Sequence, residues 1–157
     1  SFLRELAQKT PERNFLGIDK MAGRIEKSCR KVAGLENVRV MNLEISYAVR
    51  FLLPRESVET FYLFFPDPWP KRRHHRRRLV TTEFLDAIHR ALGEAGMFRI
   101  ATDQADYFEQ IKRVAKNHSG FAIANDVDLP TTKFERRFRD ADLPIYRLSL
   151  RKISPVR

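Results

Sequence analysis

The sequence predicts an α/β protein with a doubly wound, mostly parallel sheet and an antiparallel edge at its C-terminal end. Three observations predict it. Strand-like and helix-like segments alternate along most of the 157 residues, and two strands then follow in succession; that alternation is the pattern of β-α-β units. "VETFYLFFP" (58–66) is almost uniformly apolar, which suits a strand buried on both faces and not a half-exposed one. Several of the predicted strands also finish on an acid, at the rim where such sheets bind their ligands.

The elements follow in order. "SFLRELAQKT" sets Phe2, Leu3, Leu6 and Ala7 at helical spacing. "NFLGIDK" is a short apolar run that ends on an acid, a strand. "MAGRIEKSCRKVAG" is helical and closed by Gly34. "NVRVMNLE" alternates Val38 and Val40 and reaches Glu44, a second strand. Residues 46 to 53 form a short helix stopped by Pro54. After the apolar strand at 58–66, "TTEFLDAIHRALGEAG" is a helix capped by Thr81 or Thr82, with Leu85, Ile88, His89 and Leu92 on one face. "GMFRIATD" is a strand, "ADYFEQIKRVAKNHSG" a helix closed by Gly120, and "FAIANDV" and "IYRLSLRKI" are the last two strands. These 157 residues are expected to form a single domain that is incomplete at its N-terminal side. The opening helix has no strand before it, and the Gly-rich turn expected after a first strand is absent.

The composition narrows the partners. The chain is 43% hydrophobic and 32% charged, enough for a core. Its formal charge is +10, which points to an acidic partner, nucleic acid or an anionic membrane surface. Lys71, Arg72, Arg73, Arg76, Arg77 and Arg78 supply 6 of the 30 basic side chains, leaving 24 against 20 acids elsewhere. More than half of the excess therefore sits in one loop. The single cysteine, Cys29, excludes an intrachain disulfide and a cysteine-based zinc site, and suits a reducing compartment. No apolar run approaches the length of a bilayer span, and no signal-peptide pattern opens the chain. The expected protein is cytoplasmic, with no membrane and no metal. A monomer and a homodimer both remain open.

Asp19, Glu44, Asp67 and Asp103 end four predicted strands. A single such acid is often only a cap or a turn residue, whereas four on one rim form a constellation. Asp19 stands where nucleotide-binding α/β folds place the acid that takes ribose hydroxyls. Glu44 is placed to accept from an adenine amino group. Pro66 and Pro68 fix φ on both sides of Asp67, so its carboxylate is held in a stiff turn. Trp69 follows, with base stacking and packing under the loop as its two readings. His74 and His75 are adjacent and His89 and His118 isolated, so no metal constellation forms; serine and cysteine nucleophile motifs and a phosphate loop are absent as well. Eight residues from Lys71 to Arg78 without an acid would repel one another without an anion, and phosphate is the natural one.

At "FFPDPWPKRRHHRRR" the sequence resembles the bacterial tRNA (guanine-N7-)-methyltransferases. That family carries a phenylalanine-rich strand, then Pro-Asp-Pro-Trp, then a lysine and a basic run with histidine. "IATD" at 100–103 and "TKFERR" at 132–137 agree with it, as do "NFLGID" and the order of elements. The resemblance implies a Rossmann-like class I methyltransferase that uses S-adenosylmethionine to methylate N7 of a guanine in the tRNA variable loop. It also implies that Asp19, Glu44 and Asp67 line the cofactor site; Asp67, stiffened between Pro66 and Pro68, is the expected catalytic acid, with its carboxylate stabilising charge that develops on the base. Lys71, Asp103 and Thr132, Lys133, Phe134 and Glu135 would face the substrate, and Arg73, His74, His75, Arg76, Arg77 and Arg78 would touch RNA. The family's Gly-x-Gly segment, whose backbone cradles the methionine end of the cofactor, has no counterpart here. A polypeptide of these 157 residues alone is therefore expected to bind the cofactor poorly; micromolar affinity by calorimetry would refute that. The alternatives are a non-catalytic RNA- or DNA-binding module, a methyltransferase acting on another RNA base, and a nuclear localisation tract at 71–78. The module leaves the acid rim and the stiff Pro-Asp-Pro turn unexplained.

Overall fold

The computed structural model describes residues 1–125, 136 and 139–154. In chain order the elements are α1 (Phe2–Lys9), β1 (Phe15–Asp19), α2 (Ala22–Val32), β2 (Val38–Asn42), α3 (Ile45–Tyr47), a π-helical turn (Ala48–Leu52), β3 (Val58–Phe64), a 3-10 helix (Arg72–Arg77), α4 (Thr82–Ala91), β4 (Leu92–Thr102), α5 (Ala105–Lys116), β5 (Phe121–Ala124) and β6 (Tyr146–Lys152). They fall into two compact units, one holding Ser1–Ala48 and the other holding β3 to β6.

In the first unit β1 and β2 run parallel, from Phe15 beside Val38 to Asp19 beside Asn42. Their inner face is apolar because strand side chains alternate. Ala7, Val32 and Val38 are buried there, with Leu3, Phe15, Leu35 and Val40 packed against them. Two local features bound these helices, of which Gly34 was expected from the sequence. The Ser1 hydroxyl accepts from Arg4 N at 3.4 Å at the start of α1, and Gly34, at φ 85°, follows the end of α2. The Asn37 side chain donates to Ala7 O (3.1 Å) and Arg13 O (2.9 Å), which ties the start of β2 to the chain leaving α1.

The second unit is a four-stranded sheet of order β3-β4-β6-β5. β3 and β4 are parallel, with Phe64 beside Ala101. β6 is antiparallel to both β4 and β5. The last two strands thus form the expected antiparallel pair at one edge of the sheet, with β6 against β4 and β5 outermost. Phe84 of α4 meets Phe98 edge-on at 6.3 Å and Phe108 of α5 stacks on Tyr146 at 5.3 Å. Both helices therefore cover the face that carries Phe98, Ile100, Leu148 and Leu150, all buried.

Two boundaries differ from expectation. α4 ends at Ala91, and β4 begins directly at Leu92 instead of at Gly96. The strand bends where Ala95 sits at φ 53°. A Cβ at Gly96 would come within 2.9 Å of Gly93 O and 3.1 Å of Glu59 O, so only glycine admits this approach of backbone to backbone. The short helix before Pro54 divides into α3 and the π-helical turn. Among the described residues no helix is long and apolar enough to cross a membrane.

Candidate active site

Each unit presents acids beyond the carboxyl ends of its parallel strands. In the first, Asp19 is the last residue of β1, and Glu44 lies two residues past β2. Asp19 Oδ1 accepts from Met21 N at 2.8 Å, and its Oδ2 lies 3.5 Å from the exposed Arg24 guanidinium. Glu44 caps α3, accepting from Ser46 N (2.9 Å) and Tyr47 N (2.7 Å). Each carboxylate thus has local work in the fold. Two oxygens offer about four lone-pair sites, so both acids keep acceptor capacity for hydroxyl and amino donors.

In the second unit, Phe64 pairs with Ala101 and Phe65 N donates to Ala101 O at 2.8 Å. Asp67 and Asp103 therefore emerge from neighbouring parallel strands, three and two residues beyond that pair. Asp103 is half-buried and accepts from Gln104 Nε2 at 3.0 Å. Asp67 is exposed, at the centre of a constrained turn: Phe65 has φ 52° and Trp69 φ 43°, values that bulky residues seldom adopt. Strain of that kind persists only where the surroundings over-determine it. With Pro66 and Pro68 fixing φ between them, all four neighbours of Asp67 constrain its backbone.

The basic run forms the 3-10 helix Arg72–Arg77, begun by His74 N donating to Lys71 O at 2.7 Å. Lys71, Arg72, Arg73, Arg76 and Arg77 are exposed, while His74 and His75 are half-buried. Trp69 meets the edge of His74 at 5.9 Å, and the Arg77 guanidinium lies over its ring at 4.9 Å. Trp69 is therefore packed into the basic loop, with one ring face covered by Arg77.

Arg78 departs from the expectation that it touches RNA. It is 3% exposed. Its Nε donates to Pro68 O (2.7 Å), Nη1 to Gln110 Oε1 (2.7 Å) and Nη2 to Asp106 Oδ2 (2.5 Å), and its guanidinium lies 4.8 Å from the centre of the Tyr107 ring. The cause is α5: Asp106 and Gln110 are one turn apart on its surface and form a two-pronged acceptor for a guanidinium fork. The Arg78 hydrogen bond, with help from the charges of Arg78 and His75, holds the Asp106 carboxyl below its ordinary value. Burial pushes the Tyr107 phenol up, the negative charge of Asp67 adds to the rise, and hydrogen bonds from the backbone of Val80 and Leu79 oppose it. Val80 N donates to the Tyr107 hydroxyl at 3.1 Å.

Asp106, Tyr107 and Gln110 are site residues that the sequence reading did not single out. The available signal was an acid and an amide at i, i+4 on the helix after Asp103. Thr132, Lys133, Phe134 and Glu135 lie outside the described residues. Among the described residues, no group of three or more His, Cys, Asp or Glu side chains is placed to hold a metal ion.

Solved structures similar to this one include methyltransferases, among them S-adenosylmethionine-dependent enzymes. The 16S rRNA methyltransferase KamB superposes with a TM-score of 0.68 over 98% of this chain and 83% of its own, at 16% identity. The aminoglycoside resistance methyltransferase NpmB1 gives 0.64 over 97% and 82%, at 17% identity. The fold is thus that of the class I methyltransferases. The family model described as "Putative methyltransferase" matches residues 1–148, and the chain belongs to that family. A tRNA (guanine-N(7)-)-methyltransferase of Nitrosococcus oceani is 42% identical over 141 residues, 86% of this chain and 60% of that protein. One of Aquifex aeolicus is 36% identical over 157 residues, 97% of this chain and 53% of that protein. The chain spans about 60% of the length of the first of these relatives.

Proposed function

We propose that this chain belongs to a tRNA (guanine-N7-)-methyltransferase, which moves a methyl group from S-adenosylmethionine to N7 of a guanine in the tRNA variable loop. The observation that carries the reading is the Pro66–Asp67–Pro68 turn, an exposed carboxylate held by constrained neighbours beside five exposed cations. Relatives at 36 to 42% identity bear that name.

The cofactor supplies an electrophilic methyl group on a sulfonium. Asp19 and Glu44 would hold its adenosine, since carboxylates with spare lone pairs suit ribose hydroxyls and an adenine amino group; Asp67 would border the same ligand. Guanine N7 carries a free lone pair, so no base is needed to take a proton from it. What the protein must do is align the reactants and stabilise the positive charge that grows on the base, and a fixed carboxylate does the second. Asp67 has that role. Asp103 would position the base, since a carboxylate accepts from guanine N1–H and the exocyclic amine. Lys71, with Thr132, Lys133, Phe134 and Glu135, would face the substrate, while Arg73, His74, His75, Arg76 and Arg77 bind the RNA backbone. On this reading the 157 residues form part of one methyltransferase domain, working in the cytoplasm as a monomer or homodimer.

The test is Asp67→Ala in the full-length protein, assayed with labelled cofactor and unmodified tRNA. Methylation should be abolished and tRNA binding left within about threefold of wild type. Activity surviving within tenfold would remove Asp67 from the role. A labelled product other than 7-methylguanosine would reassign the target base.

A further inference from the structure

We infer that Arg78 is a positioning residue: its buried guanidinium sets the turn that carries Asp67 against helix α5. The inference rests on the methyltransferase reading for its kinetic consequence, and on geometry alone for its structural one. Arg78 closes a run of eight basic or histidine residues, yet its side chain is 2% exposed while its partner Asp106 is 56% exposed. A guanidinium seldom goes to that depth unless its donors are met. Each of its three nitrogens donates here: Nε to Pro68 O at 2.7 Å, Nη1 to Gln110 Oε1 at 2.7 Å, Nη2 to Asp106 Oδ2 at 2.5 Å.

The acceptors lie on two different elements. Pro68 is the residue after Asp67, and its carbonyl belongs to the peptide that leads into Trp69 at φ 43°. Asp106 and Gln110 stand on the first turns of α5, immediately after β4 and Asp103. One planar fork therefore fixes the distance between the turn after β3 and the helix after β4, the two elements next to Asp67 and Asp103. The Tyr107 ring, 4.8 Å from the guanidinium carbon, limits tilting of the plane. Tyr107 is in turn held by Val80 N at 3.1 Å, two residues beyond Arg78 in the chain. A lysine keeps the charge but cannot reach three acceptors in one plane.

The variant Arg78→Lys separates positioning from phosphate binding. In the full-length protein, kcat for tRNA methylation should fall about 100-fold, the scale of misplacing a reacting group by about an ångström. KM for tRNA should stay within about twofold, and the salt slope of tRNA binding should not change. Asp106→Asn should lower kcat by a smaller factor, and the double variant should lose less than the product of the two. Independently of activity, hydrogen exchange at the amides of Asp67, Trp69 and Lys71 should quicken in Arg78→Lys, with β4 and α4 unaltered. Wild-type exchange in that turn would overturn the inference. So would a kcat within threefold of wild type, or a loss confined to tRNA affinity with a shallower salt slope. If wild-type protein proves inactive on tRNA while the exchange result holds, the methyltransferase reading fails and the clamp stands.

Discussion

Arg77 and Arg78 are chain neighbours with the same charge, and the fold uses them differently. Arg77 is exposed, and its guanidinium lies on the Trp69 ring at 4.9 Å, free to take a phosphate with its remaining donors. Arg77→Ala should weaken tRNA binding several-fold by filter binding and leave the melting temperature within about 1 °C, as exposed substitutions usually do. The Arg78–Asp106 pair has a signature in acid. Because the carboxyl of Asp106 sits below its ordinary 3.8 in the folded protein, folded Asp106 gives up its proton more readily than unfolded Asp106. Its stabilising contribution is therefore complete above about pH 4 and disappears as the pH falls through the lower folded value. Urea unfolding between pH 2 and 6 should show Asp106→Asn losing less stability toward acid than wild type; parallel curves would mean the pair contributes nothing.

At the scale of elements, α5 matters more than its sequence suggested. The helix itself was legible, and the structure buries Tyr107, Ile111 and Ala115 along one of its faces. The use of Asp106, Tyr107 and Gln110 was not, because that depends on Arg78, at the end of the basic loop and 28 residues before Asp106. The same division holds elsewhere. Every strand and helix read from local periodicity exists, and Asp67 and Asp103 do follow adjacent strands. The interior place of β6 and the start of β4 at Leu92 escaped, because long-range pairing and close backbone approach leave no local period. Arg78 looked like the rest of its run because burial has no signature inside a stretch of like charges. Tyr107 gives the element's own test. In Tyr107→Phe the N–H of fully buried Val80 loses its acceptor, which should cost about 1 to 3 kcal/mol by denaturant midpoint. The phenol lies above its ordinary 10.0 in the fold, so its contribution is complete below about pH 10 and is lost as the pH rises toward the folded value. Tyr107→Phe should lack that share of the alkaline decline between pH 9 and 11.

Over the whole molecule, the question is whether the charge of +10 acts as a total or through its placement. Long-range attraction to a polyanion responds to total charge, whereas displacement of counterions counts only the cations that meet phosphates. The structure makes the two separable. Arg72, Arg73, Arg76 and Arg77 are exposed on one 3-10 helix next to Asp67. Lys9, Lys27, Arg30 and Lys31 are as exposed and as numerous, but stand on α1 and α2, where Arg30 already pairs with Glu26 at 2.9 Å. Changing either set to glutamine removes the same four charges. If placement governs, the loop set should flatten the plot of log affinity for tRNA against log salt by about 3, at roughly 0.7 to 0.9 per phosphate contact. The helix set should change that slope by less than about 1 and slow association only at low salt, where the Debye length exceeds about 30 Å. Equal slopes for the two variants would mean that the loop has no defined phosphate contacts and that the molecule binds RNA through its overall charge. A slope lost only from the loop variant places the RNA backbone against the 3-10 helix, within reach of the turn that holds Asp67.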